Sequence, residues 1–180
     1  NSRRQLRSEK SYGGAIAAFK KAGDFSDSKE KINAAKYAYV TEHKNNTDAT
    51  TYKYLKELTS ANYKDSKKIY TSLYAWKLTD IVFNTHRDDT SSNYTSFDKY
   101  DTIYFHASVS GGPPDGKTHI YCSIDWPDGS FTEKERLNTL FKAGDSLQLS
   151  FEQIYSDGPL YLEIFDDAGN LMGKGSVDVT

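Results

Sequence analysis

The chain has 180 residues, of which 37% are hydrophobic, 27% charged and 14% aromatic. No apolar run reaches the ~18–20 residues that a membrane-spanning helix needs, and a single cysteine excludes an internal disulfide framework or a cysteine-rich metal knot. Mean hydropathy is low at −0.73, yet 14 Tyr, 9 Phe and 2 Trp supply core material and argue against wholesale disorder, while a net charge of −2 by itself points neither toward nor away from nucleic acid.

The first part of the chain reads as helices. From about Ser8 to Ala22, Tyr12, Ala15, Ile16 and Phe19 fall at helical spacing, and Gly23 suits the left-handed turn that ends a helix. A second helix starts at Ser26 or Asp27. There Asp27 with Glu30 has the form of a capping box, in which an acidic side chain takes up unpaired amide groups. It carries Ile32, Ala35 and Tyr39 to about His43, and Lys44-Asn45-Asn46-Thr47 breaks it. A third helix spans about Ala49 to Ala61 with Leu55 and Leu58. A fourth starts near Asp65 and runs through Ile69, Leu73 and Trp76.

These helices repeat one unit. Gly23 to Lys29 recurs as Ala61 to Lys67 at an offset of 38, and Tyr37-Ala38-Tyr39 recurs as Tyr74-Ala75-Trp76 at an offset of 37. A period of this length with helix–turn–helix content marks an α-solenoid repeat. The pattern of Ala15, Phe19 and Gly23-Asp24-Phe25-Ser26-Asp27-Ser28 resembles the degenerate tetratricopeptide-like (TPR-like) repeats of bacterial, Gram-positive-type cell-envelope proteins. That resemblance covers about residues 10–78. It implies repeats lying outside a membrane anchor upstream of Arg3-Arg4, sometimes with a preceding zinc ribbon. The second copy departs from the pattern, with Ala61-Asn62 where Gly-Asp is usual and Leu58 in place of the Phe.

Near residue 79 the composition changes. Residues 1–79 carry 16 Lys and Arg against 8 Asp and Glu, whereas residues 80–180 carry 7 against 17, with all 4 prolines and 9 of the 12 glycines. Many chain reversals belong in the second part. Ile81-Val82-Phe83 begins a strand. Ile103, Phe105, Ala107 and Val109 alternate with Tyr104, His106 and Ser108, the period-2 pattern of a half-buried strand. Ile120, Cys122, Ile124 and Trp126 alternate with His119, Tyr121 and Ser123. Leu147 to Phe151, Leu160 to Ile164 and Leu171 to Val179 follow. About seven short strands with turns at this spacing predict an antiparallel β-sandwich. The Trp126-Pro127-Asp128-Gly129 turn and the closing string from Gly169 to Val179 resemble bacterial immunoglobulin-like (Ig-like) domains, a likeness that speaks for fold alone. The expected fold class is therefore α+β in two domains: residues 1–79 as two antiparallel helical hairpins and residues 80–180 as an Ig-like sandwich.

Chemistry-bearing residues are sparse. If strands 103–109 and 118–126 form a hairpin about Pro113-Pro114, His106 lies opposite Tyr121 and His119 opposite Ser108. Tyr104, His106, His119 and Tyr121 then form one aromatic, titratable patch, which is either a solvent-facing sheet surface or a binding surface for a sugar or peptide. No third zinc ligand is placed by sequence. His86 beside Asp88 and Asp89 reads as a loop end, because neighbours on a strand point to opposite faces. Cys122 reads as a buried thiol. Asp157, Asp166 and Asp167 do not follow a calcium-loop pattern and read as turn formers. The tyrosines of the first part (Tyr37, Tyr39, Tyr52, Tyr54, Tyr63, Tyr70 and Tyr74) recur at repeat-equivalent positions, as packing residues do. The lysines at 20, 21, 29, 31, 36, 44, 53, 56, 64, 67, 68 and 77 are either a solvated surface or an attraction toward an anionic membrane or wall polymer. They form no compact cluster, and the acidic second part repels phosphate, so nucleic acid is not expected as a partner.

The chain begins at Asn1 without Met, which reads as an excised piece or a mature product. With little Cys and Met and abundant Thr, Ser, Asn and Tyr, the expected setting is the bacterial cell surface. The expected function is a non-catalytic binding module: a helical-repeat stalk presenting an Ig-like domain to a protein or cell-wall component. No catalytic residue, cofactor or metal is assigned. A glycan-binding module built on the Tyr104/His106/His119/Tyr121 patch, a metal-dependent hydrolase using the histidines, and a structural spacer are the alternatives.

Overall fold

A computed structural model describes residues 3–21, 23, 27–43 and 47–180 of the protein. Four helices, α1 (Arg3–Lys21), α2 (Ser28–Glu42), α3 (Ala49–Ser60) and α4 (Ser66–Leu73), precede eight strands. These are β1 (Trp76–Asn84), β2 (Ser96–Phe97), β3 (Ile103–Gly111), β4 (Thr118–Asp125), β5 (Phe131–Phe141), β6 (Ser146–Phe151), β7 (Gly158–Phe165) and β8 (Leu171–Val179). The chain forms two compact units, Asn1–Tyr74 and Ala75–Thr180. The boundary lies before residue 79 because the fourth helix stops at Leu73. Trp76, expected on that helix, opens β1 instead.

In the helical unit each helix packs on its chain neighbour. Tyr39, Val40, Leu55 and Leu58 are fully buried, each such side chain contributing about 1.5–3 kcal/mol relative to exposure. Tyrosines complete this core. Tyr39 meets Tyr12 and Tyr54 edge to face at 5.8 and 5.3 Å, and Tyr52 meets Tyr74 at 5.4 Å. Two phenols also bind across the repeat. Tyr37 donates from its hydroxyl to Asp65 at 2.5 Å, and Tyr63 donates to Glu30 at 2.8 Å.

The helix ends show what the sequence pattern achieves. Gly23 takes a φ of +73° after α1, as expected of a terminating glycine. After α3, Asn62 takes the left-handed turn with φ +49°. Its N–H bonds Thr59 O at 3.1 Å and the Tyr63 N–H bonds Leu58 O at 3.0 Å, a two-bond closure of the helix end. The expected capping box at Asp27 does not form: Asp27 makes no side-chain cap bond and pairs instead with Lys31 one turn on. The repeat segment 24–26 and the break at 44–46 lie outside the described residues.

In the second unit, β1, β3 and β6 form one antiparallel sheet, and β2, β8, β7, β4 and β5 form another. Inward residues of the first (Phe83, Ile103, Phe105, Val109, Leu147) and of the second (Ile120, Cys122, Ile124, Leu160, Leu162) share one core. Two strands differ from expectation. The two-residue β2 pairs parallel to β8, so the arrangement is not wholly antiparallel. β5, with a sequence too polar to alternate, pairs with β4 alone at the sheet edge.

Glycines bring the sheets together. A Cβ on Gly173 would lie 3.0 Å from Leu78 Cβ, and one on Gly175 would lie 2.6 Å from the Phe83 ring. The closing glycine string is therefore a close approach of β8 to β1.

The largest correction concerns β3 and β4. They do not form a hairpin: β3 pairs with β1 and β6, and β4 with β5 and β7, so the chain crosses between sheets in the 112–117 segment. Gly111 and Gly112, at φ +74° and +71°, turn the backbone there, and the Gly112 N–H bonds Ala75 O at 3.3 Å.

Candidate functional site

The sheet change divides the four-residue patch. Tyr104 and His106 stand on the outward side of β3, while His119 and Tyr121 stand on the outward side of β4, across the core. They do not form one surface.

His106 is 5% exposed, stacks with Tyr104 at 6.3 Å, and its Nε2 is buried without a hydrogen-bond partner. His119 and Tyr121 gather instead on Asp167. The Asp167 carboxylate accepts from the His119 N–H at 2.9 Å, lies 3.1 Å from His119 Nδ1, and accepts from the Tyr121 hydroxyl at 3.3 Å. The His119 amide, ahead of the imidazole and phenol, holds this carboxyl below its ordinary 3.8. Thr118 Oγ1 accepts from the Asp167 N–H at 3.1 Å. The cluster thus joins the loop after β7 to the start of β4, and among the described residues the imidazole's one side-chain partner is the Asp167 carboxylate.

The remaining sequence candidates have structural surroundings. Asp89 accepts from Ser91 and Ser92, and the buried Asn84 donates to the Asp89 and Ser92 carbonyls, so 84–92 is a pinned loop. Burial, with Glu135 nearby, pushes the Cys122 thiol up to about 12, which keeps it un-ionised. Asp166 accepts from the Ala168 and Asn170 amides and closes a turn, and Asp157 pairs with Lys99 at 2.8 Å. Among the described residues no three His, Cys, Asp or Glu side chains converge as a metal-holding group. In the helical unit Lys36 is not a surface lysine: it is buried and paired with Glu57 at 2.6 Å. Lys64 lies over the Tyr37 and Tyr63 rings at 4.6 and 5.3 Å. Lys44 lies outside the described residues.

A different region stands out. Ile103 pairs with Phe151 and Asn84 with Tyr104, so the end of β1, the start of β3 and the end of β6 lie together. At this end, Asp98 to Asp101 forms a turn closed by the Asp101 N–H on Asp98 O at 3.1 Å. Its third residue, Tyr100, has φ +73°, a conformation suited to glycine and strained for a bulky side chain.

Tyr100 is 70% exposed and meets Tyr155, 60% exposed, edge to face at 5.5 Å. Both loops are tied down. The Tyr100 N–H bonds Ile154 O at 3.1 Å, the Lys99 N–H bonds Thr180 O at 3.0 Å, and Lys99 holds Asp157. Beside the turn is an open hollow of about 250 Å³ lined by Thr85, Tyr94, Ser96, Phe97, Asp98 and Asp101. Asp101 Oδ2 accepts from the Asp98 N–H at 3.2 Å, which orients the carboxylate.

Of the seven large apolar or aromatic side chains exposed among the described residues, Tyr94, Tyr100, Phe131, Tyr155 and Tyr161 come from segments at or leading from this end. Sequence reasoning missed Tyr100 and Tyr155. Neither belongs to a periodic element, and the Asp-Lys-Tyr-Asp run gives only a generic turn signal.

No protein-family model matches the chain, and no curated protein matches it. Among solved structures, the alkylpurine DNA glycosylase AlkC of Pseudomonas fluorescens, bound to DNA containing an abasic-site analogue, is 12% identical with a TM-score of 0.39. That likeness covers 92% of this chain and 51% of the other, so the chain spans about half the length of that protein. A β-glucosidase from Listeria innocua is 12% identical with a TM-score of 0.37, over 58% of this chain and 16% of that one. The PKD domain of an M14-like peptidase from a Thermoplasmatales archaeon is 18% identical with a TM-score of 0.34, over 55% and 91%. Likenesses at this level assign neither family nor activity.

Proposed function

We propose that the chain is a non-catalytic binding module outside the cytoplasm of a bacterium, with a TPR-like helical part and an Ig-like sandwich that contacts a protein or cell-wall component. The observation that carries this reading is the exposed Tyr100–Tyr155 ring pair at one end of the second unit. Exposed aromatics grouped on a rigid support are the usual material of a binding surface. The repeated aromatic packing of Tyr12, Tyr39, Tyr52 and Tyr74 supports the TPR-like description. Two sheets sharing one core, without a cysteine pair, support the Ig-like one. The His119–Asp167–Tyr121 cluster is better suited to pinning a loop than to turnover, since its hydrogen bonds are directed within the cluster.

The test is co-sedimentation of the full chain with purified bacterial wall sacculi, alongside pull-down from envelope extract. Retention by a wall or envelope component is the expected result. A chain that stays in the supernatant and retains no envelope component contradicts the reading.

A further inference from the structure

We propose that the Tyr100–Tyr155 pair and the hollow lined by Asp98 and Asp101 of the same turn as Tyr100 bind an uncharged glycan chain, a step that takes the binding reading above as its premise and gives the ligand its chemical class. A sugar ring offers an apolar C–H face and a rim of hydroxyls. An aromatic face recognises the first through dispersion and desolvation, and oriented carboxylates and hydroxyls recognise the second. Both are present here. The Tyr100 and Tyr155 rings stand 65° apart at 5.5 Å, a pair of inclined faces for successive rings of a chain that turns between units. Thr85, Ser96, Asp98 and Asp101 supply hydrogen-bonding groups along the hollow. At about 250 Å³ the hollow is smaller than the roughly 300–1,000 Å³ of pockets that engulf a whole small molecule, and it suits one unit of a longer ligand.

The platform is built before any ligand arrives. The Tyr100 N–H on Ile154 O and the Lys99–Asp157 pair fix the two loops to each other, so little ordering entropy is lost on binding. Tyr100 is held in a strained left-handed backbone at the most exposed point of the pair. Strain of that kind persists where the surrounding structure enforces it, and it concentrates at working sites. Charge selects the ligand. Asp98, Asp101 and Glu152 occupy these two loops with no cation beside them in sequence but Lys99, whose charge is offset by Asp157. An anionic polymer is therefore repelled. A protein partner is also disfavoured, because the centres of protein interfaces are depleted in Asp and Glu, whereas here carboxylates alternate with the rings.

The experiment is calorimetric titration of the full chain with soluble neutral hexasaccharides built from glucose, xylose or N-acetylglucosamine, with polygalacturonate as the anionic contrast. At least one neutral saccharide is expected to bind and polygalacturonate is not. Tyr100→Ala and Tyr155→Ala are each expected to weaken binding about tenfold, as loss of a central aromatic anchor does, while Tyr155→Phe stays within about threefold because the ring, not the hydroxyl, makes the stack. Since both side chains are exposed, the melting temperatures of these variants report directly that the fold is intact. Absence of binding to every neutral saccharide, binding by both Ala variants as tight as that of the wild-type chain, or preference for polygalacturonate overturns the glycan assignment. If the wild-type chain is nevertheless retained by sacculi or an envelope protein, only the ligand class fails; if it is retained by neither, the binding reading fails with it.

Discussion

Tyr100 shows how one residue can work against stability. Its φ of +73° belongs to a conformation that L-residues with a Cβ adopt at a cost of about 1–2 kcal/mol and glycine adopts freely. Both Tyr100→Gly and Tyr100→Ala lose the ring contact with Tyr155, so their difference isolates the backbone. Chemical denaturation should find Tyr100→Gly more stable than Tyr100→Ala by about 1 kcal/mol; equal stabilities would show that the turn is unstrained.

Carboxylates make a second residue-scale argument. Asp89 is held below its ordinary 3.8 by the Ser92 and Ser91 hydroxyls and the Ser91 amide, Asp128 by the Ser130 hydroxyl and amide, and Asp167 by the His119 amide. A folded value below the unfolded one contributes stability that is present above the unfolded pKa and is lost as pH falls through the folded one. The melting temperature should therefore drop on acidification from about pH 5, and Asp89→Asn should flatten that drop. A profile unchanged by the substitution would exclude Asp89 from the effect.

At the scale of elements, glycines separate packing from propensity. Gly175 on β8 faces the Phe83 ring so closely that an added Cβ would stand 2.6 Å from it, whereas Gly14 on α1 has nothing within 4 Å. Gly175→Ala should destabilise by about 1–3 kcal/mol through overpacking, and Gly14→Ala should stabilise by about 0.5–1 kcal/mol through helix propensity. Thermal unfolding of the two variants checks both signs.

The same contrast explains what was legible beforehand. Helical periodicity around Tyr39, Leu55 and Leu58 located the helices, and strict alternation located β3 and β4, because burial on one face writes itself into the sequence. The partner of a strand is not written there. Gly111-Gly112-Pro113-Pro114 has the composition of a hairpin turn, but it carries the chain from one sheet to the other, and that crossing separated His106 from His119. β5 escaped for the opposite reason: as a largely exposed edge strand it needs little apolar alternation. Tyr100 and Tyr155 escaped because exposure in a loop depends on where the neighbouring strands end.

For the whole molecule, the basic first part and the acidic second part coincide with two physical units, divided after Tyr74. The first spends its tyrosines on a core: Tyr39 and Tyr74 are buried among other rings. The second leaves Tyr100 and Tyr155 paired in solvent. That difference supports the proposed binding role.

The most direct measurement is a proton–nitrogen correlation spectrum of the isotope-labelled full chain, titrated with the soluble neutral hexasaccharides built from glucose, xylose or N-acetylglucosamine. Amide signals of Asp98 to Asp101 and of Gln153 to Asp157 are predicted to shift together, with those of His119 and Tyr121 unmoved. Shifts confined to the helical unit or to the His119–Asp167 cluster, or a spectrum that does not change at all, would contradict the account.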